Sequence, residues 1–370
     1  MRGGRFSYVA PRKNETDTVL WNYLCLRFLN RLVSVAASRN PFIVYFDQNI
    51  LSHLREGKRA RDELRRLLDK LSGDDTLFVY SMTHVHEIRD SSQPESFVRV
   101  IEETPVYLME FQQASDRRTA FSLGRAHELL LSPEDSVHHA SRAIEEILKV
   151  VHSSSGWLGD VEAQVLLGEI VTNWDAYWNS LQSDFDVEIS GMKNSAEVRH
   201  LVEAARRAIT ESIRALPLQE DRAELTAALA RLRERLPKNP AQLDEVPDES
   251  AVPFVFSCLD DRDQEGMRAH YPQGFWNRWE TRETGKLAGL AFGLFVCGFV
   301  RDRRVKSGTN ERRYKHFRGQ YRDCIHIENA ARCGAFVTCD NRAARLARSL
   351  YAYAGVNTKV LELTLPKCLL

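Results

Sequence analysis

Four acids stand where their type and spacing suit chemistry. Asp47 closes the apolar run "IVYF", and Asp340 closes a second run, "AFVTC". Glu87 follows a third, "TLFVYS", within the helical pattern "MTHVHEIR". Asp323 opens the pattern "DCIHIENAARCG", which leads into the Asp340 run and which Gly334 is expected to stop. In an open parallel sheet, ligands bind outside the carboxyl ends of the strands. A helix of about eleven residues descends ~16 Å and a strand of about five climbs ~17 Å. Asp323 is therefore expected at the same edge as Asp340. Carboxylates gathered in one crevice repel one another, and burial raises their pKa values. A hard divalent cation, Mg²⁺ or Mn²⁺ on oxygen ligands, would neutralise them. Such an ion activates a bound water and orients attack on a phosphodiester. Whether all four acids meet depends on strand order, which spacing does not fix. Glu103 and Glu110 remain alternatives to Glu87.

A basic stretch, "RDRRVKSGTNERRYKHFRGQYRD" (301–323), runs directly into Asp323. Cations for phosphates and rings for unpaired bases are what a nucleic-acid groove needs. The candidates are Arg312, Arg313, Lys315, His316, Arg318 and Arg322, with Tyr314, Phe317 and Tyr321 as rings. Formal net charge is zero, so compensating acid lies elsewhere; the acidic stretch 244–265 is expected to shield the groove. Other chemistries fit less well. "HVHE" lacks the H-E-x-x-H spacing of a zinc site, and no C-x-x-C pair supports one. The seven cysteines read as reduced, buried thiols of a cytoplasmic protein. A haloacid dehalogenase-type phosphatase needs a second Asp where Asn49 stands. No glycine-rich nucleotide turn follows the first strand.

These side chains must be held by alternating strands and helices, which implies an α/β fold with a central parallel sheet. The first strand is "PFIVYF"; residues 49–72 read as helix, broken near Gly57, with Leu64, Leu67, Leu68 and Leu71 on its apolar face. Residues 1–40 are expected to be a loose segment and one helix. Residues 41–100 form the first part of the sheet domain, and 285–370 the second part. Between them, 101–284 reads as a large all-α insertion, with a Pro-rich acidic loop at 237–253. The run 287–300 is too short to span a bilayer comfortably. Its glycines, Gly285, Gly289 and Gly293, are expected to let a buried helix approach the sheet.

"VYFDQNILS", "FVYSMTHVHEIR" and "YRDCIHIENAARCGAFVTCDNRAARLA" together resemble the successive acidic motifs of the PIN domain family. The resemblance covers about 41–100 and 285–365, and "AARCGAFVTCDN" is its most specific part. It implies an α/β/α sandwich whose strand order gathers Asp47, Glu87, Asp323 and Asp340 around Mg²⁺ or Mn²⁺. Asn49, Thr338 and Asn341 would support them. It also implies a metal-dependent endoribonuclease, in a toxin or defence setting, acting on single-stranded or structured RNA. An inhibitory protein or a second copy of the chain is the other expected partner. Asp340→Asn is expected to abolish cleavage and to remove a repelling charge. The rival expectation is an inactive PIN-like scaffold that binds RNA or protein through its helical lobe. The long insertion departs from the family pattern.

Overall fold

The computed structural model describes residues 41–55, 58–71, 75–104, 106–110, 120–122, 220–238, 240–277, 285–300, 305 and 308–363, with isolated positions between 148 and 207. The expected N-terminal helix, and most of the helical stretch before 220, lie outside them. Strand β1 is Phe42–Phe46. Helices α1 (Gln48–Arg55) and α2 (Lys58–Leu71) come next, separated at the expected break. Then come β2 (Thr76–Ser81), α3 (Met82–Arg89) and α4 (Pro94–Glu103). The sheet does not stop at residue 100. Strand β3 (Val106–Glu110) pairs parallel with β2, and β4 (Ala120–Ser122) pairs antiparallel with β3 at the edge. These two strands correct both the boundary at 100 and the all-α reading of the chain beyond it. "VYLME" is short, but Val and Tyr favour a pleated, half-buried surface.

Further along, α5 is Glu220–Arg235, α6 Pro240–Asp244, α7 Asp248–Ser257, α8 Asp261–His270 and α9 Lys286–Cys297. The expected loop at 237–253 thus holds two helices. Pro240 opens the first, and Asp248 and Glu249 occupy the first turn of the second, both favourable helix starts. The chain closes with α10 (Asn310–Ala330), β5 (Ala335–Thr338), α11 (Asn341–Ala354) and β6 (Lys359–Glu362).

The strand order is β4-β3-β2-β1-β5-β6, with every pair parallel except β3–β4. From β1 the chain builds outward through β2 and β3; from β5 it builds the other way. The β1/β5 boundary is therefore a topological switch point, the place where such sheets bind ligands. Alternate residues feed two cores, as a sheet covered on both faces requires. Val44, Phe46, Phe78, Leu108 and Val337 pack with Ile50, Leu54, Leu64, Val85 and Phe97 on one face. Tyr45, Val79, Met109 and Phe336 pack on the other with residues of α7, α9, α10 and α11. Leu236, Leu243, Val252, Phe256 and Trp276 belong to that second core. The described part of the expected insertion after 235 is thus built into the sheet domain.

Two local readings also change. The helix before β5 ends at Ala330, with Ala331 as its cap. Gly334 instead lies under the Phe42 ring: a Cβ there would come within 2.4 Å of it, so this exposed ring would have to move aside. The α9 glycines do not bring that helix onto the sheet. A Cβ at Gly289 would meet the Tyr271 hydroxyl, and one at Gly293 would meet nothing.

What fixes α9 is Glu328 of α10. Its buried carboxylate accepts the backbone N–H groups of Gly285 (2.7 Å) and Ala288 (2.8 Å), donors that the first helical turn leaves unpaired. Glu328→Ala removes the acceptor of both and leaves the Ala288 N–H unpaired in the core. It is expected to cost about 2–4 kcal/mol, read as a lower urea midpoint with an unchanged slope; a loss under about 1 kcal/mol would contradict this role.

Candidate active site

Asp47 follows β1 and Asp340 follows β5, so the two flank the switch point. The Asp47 N–H bonds the Val337 carbonyl (2.9 Å), which holds the two strand ends in register. The buried Asp47 carboxylate accepts from the Thr338 hydroxyl (2.6 Å) and the Asn49 amide (2.5 Å). Asn49 also donates to Thr338 Oγ1 (3.1 Å), and its carbonyl accepts the Cys339 N–H (3.0 Å). Thr338 Oγ1 accepts the Asp340 N–H (3.0 Å). Asn49 and Thr338 therefore fasten both acidic turns together. Asn341 stands apart from this set, exposed at the first turn of α11.

Asp340 caps α11, accepting from the N–H groups of Arg342 (2.8 Å) and Ala343 (3.3 Å). Its second oxygen meets the Arg342 guanidinium at 3.0 Å. Burial alone would raise this carboxyl, but those donors and that charge hold it below the ordinary range. Asp340 therefore repels the neighbouring acids, as expected, while its own charge is held by Arg342 and the helix end.

Asp323 does not open its helix. Thr309 caps α10, and Asp323 lies well inside it, accepting from Gln320 (2.9 Å). Burial pushes the Asp323 carboxyl well up, and the charges of Asp47, Asp340 and Glu87 push it further. Burial also raises Asp47, with Glu87 and Asp340 adding to the rise while His326 and Thr338 oppose it. Asp47 and Asp323 therefore each lie within electrostatic reach of the other acids. Glu103 is exposed and paired with Arg65 instead.

The sequence reading missed His326. Its ring is fully buried, and Nε2 donates to Glu87 Oε2 at 2.9 Å. Its Nδ1 lies 2.7 Å from the Tyr45 hydroxyl, which lies 2.7 Å from Ser81 Oγ. Asn329 donates to Ser81 (3.1 Å) and Thr83 (3.2 Å). Burial alone would lower the His326 pKa, but the Glu87 charge and hydrogen bond, and then the Asp47 charge, raise it. The available signal was position: His326 sits three residues beyond Asp323, and such residues neighbour each other on a helix. His84 has no such role. Its Nδ1 accepts the Ser81 N–H (3.0 Å) and its Nε2 donates to the Phe46 carbonyl (2.8 Å), so both nitrogens are used and the ring stays neutral.

The basic stretch is a helix from Asn310 onward. Phe317 is fully buried, and Tyr314 and Tyr321 pack against the same core, so none is an interleaved stacking ring. Arg312 and Lys315 are exposed, while Arg313 and His316 are half-buried. Arg318 and Arg322 both meet Asp90, which neutralises part of their charge. Arg312, His316 and Asp323 share one helical stripe, since offsets of seven and eleven residues return to the same face. Three of the eight acids expected to shield a groove are committed elsewhere: Asp244 to Arg345, Asp248 to Arg348, Asp260 to Arg235.

Comparison with protein-family models, curated proteins and solved structures gives no match. Among the described residues no helix is long and apolar enough to cross a membrane. The cysteines among them, Cys258, Cys297, Cys324, Cys333 and Cys339, form no disulfide.

The donor set suits a hard cation: oxygen ligands, two of them raised first by burial and then by the neighbouring acids' charges. Its spacing is not closed. Among the described residues no three His, Cys, Asp or Glu side chains stand at metal-holding distance. Each acid leans on a protein donor instead: Asp47 on Thr338, Asp340 on Arg342, Glu87 on His326 and Asp323 on Gln320.

Proposed function

We propose that this chain is a Mg²⁺- or Mn²⁺-dependent endoribonuclease of PIN type. The observation that carries the reading is the convergence of Asp47, Glu87, Asp323 and Asp340 at the β1/β5 switch point. These residues would hold the ion, which supplies Lewis-acid polarisation of a phosphate and a water of lowered pKa. The rest of the work falls to the chain itself. Asn49 and Thr338 orient Asp47, Arg342 orients Asp340, and His326 orients Glu87. Arg312, Lys315 and His316 offer the backbone of a single strand a cationic track along α10 toward Asp323. Residues 123–219, where an inhibitory partner or a second copy would be expected to dock, lie almost entirely outside the described positions.

A second reading, a PIN-like scaffold, is favoured by one observation: every acid is already bonded to a protein donor, with no metal-spaced trio among the described residues. Labelled single-stranded RNA, tRNA and single-stranded DNA, incubated with Mn²⁺ or with EDTA, separate the two. The nuclease reading expects Mn²⁺-dependent cutting of RNA that Asp47→Asn removes. Cutting that persists in EDTA or in the variant overturns it. RNA bound but never cut leaves the scaffold.

A further inference from the structure

A cleft of about 180 Å³ is lined by Asn341 and Arg342, the two residues that follow Asp340, and Arg342 also meets the Asp340 carboxylate. Its floor is apolar, formed by Leu243, Phe299 and Val300, and its rim carries Asn341, Arg342, Arg345 and Asp244. The size is informative. Sites for drug-sized ligands run to roughly 300–1,000 Å³, so this one takes a single ring system and not a whole nucleotide.

The charges of the rim are already paired. Arg342 meets Asp340 at 3.0 Å, and Arg345 meets both Asp244 and the Leu243 carbonyl. A phosphate would find each cation beside a carboxylate and gain little. A neutral planar ring meets no such penalty. The Arg345 guanidinium centre lies 4.9 Å from the Phe299 ring centroid, so a flat cation is fixed in the cleft wall. Unpaired bases stack on arginine planes as they do on aromatic rings. Asn341, exposed at the rim, brings an amide able to donate to and accept from a base edge.

We propose that this cleft is a base-binding subsite, holding the nucleobase next to the phosphodiester positioned at the acids. The proposal rests on the RNA-cleaving reading above and adds to it a substrate contact on the Asp340 side. Because α11 begins at Asn341, the same turn that caps the helix with Asp340 presents the cleft rim. Backbone and base are thus held by adjacent residues.

The test uses the full chain and a short single-stranded RNA in which one abasic position is moved along the strand. Affinity is measured by fluorescence anisotropy in EDTA, and cutting is measured with Mn²⁺. One abasic position should weaken binding about tenfold, in the range of one stacked base, and it should adjoin the cut. Arg345→Lys keeps the charge and loses the plane. It should cost the intact strand the same tenfold, and cost nothing further once that base is absent. Val300→Trp, which fills the cleft and leaves the Arg345 bonds in place, should repeat the result. A strand that is bound and cut with a flat abasic scan overturns the subsite and spares the nuclease. Equal losses on intact and abasic strands also overturn it. No binding of any strand overturns the subsite and the RNA reading together.

Discussion

Asp323→Asn is expected to abolish metal-dependent cleavage and, at the same time, to stabilise the fold. The direction of the Asp323 shift gives the reason for the stabilisation. Its folded pKa stands well above the ordinary aspartate value of 3.8, because of burial and the neighbouring charges. Between those two values the folded state holds a proton that the unfolded state has released. Stability is therefore lost as pH rises through the folded pKa. Above that window the unfolded chain, which ionises freely, is favoured relative to the folded one, and an amide of the same shape, which does not titrate, escapes that cost. The variant should gain at least about 1 kcal/mol, or roughly 2 °C in Tm, at neutral pH. The gain should disappear below the unfolded value of 3.8. Asp340→Asn should show no such gain, since Arg342 and two backbone N–H groups already favour its charge. Thermal scans of both variants from about pH 3 to pH 8 decide the matter. A destabilised Asp323→Asn protein would mean that the acids do not repel as described.

The second large effect concerns His326. His326→Ala leaves the Glu87 carboxylate without its donor and the Tyr45 hydroxyl without one of its partners inside the core. The His326 ring is buried and Glu87 only partly so, and the loss is expected to be roughly 2–4 kcal/mol, below that of a fully buried pair. His326→Gln, which keeps a donor, should recover part of the loss. The informative comparison is a double-mutant cycle with Glu87→Gln. A coupling of about 1–3 kcal/mol is expected for groups in one hydrogen-bonded network, with the same coupling seen in single-turnover cleavage. Strictly additive losses would show that His326 merely fills space.

Much of the sheet was legible from local pattern. β1, β2 and β5 are apolar runs with turn-forming ends, and Asp47 and Asp340 could be placed at one edge from chain direction alone. β3 was not legible because "VYLME" sits between helical patterns and is too short to show alternation. The basic stretch misled for a physical reason. Tyr314, Phe317, Tyr321 and Cys324 recur at three- and four-residue spacing, the apolar stripe of an amphipathic helix. Dense arginine on the opposite face, with Gly308 and Gly319 nearby, gave the stretch the texture of a loop. Placing Asp323 at a helix start came from that error. His326 was hidden for another reason: its partner Glu87 lies 239 positions away, beyond the reach of any local rule.

The switch point also sets when this chemistry can exist. Asp47 and Glu87 are made early, while Asp323 and Asp340 are made more than two hundred residues later. The Asp47–Thr338 hydrogen bond closes a separation of 291 positions, and such distant contacts form slowly. A nascent chain carries half a crevice until β5 has left the ribosome and slotted beside β1. On the nuclease reading, the protein is harmless to the RNA that encodes it throughout its own synthesis. On the same reading, copies that end before β5 would stay inert without any inhibitor.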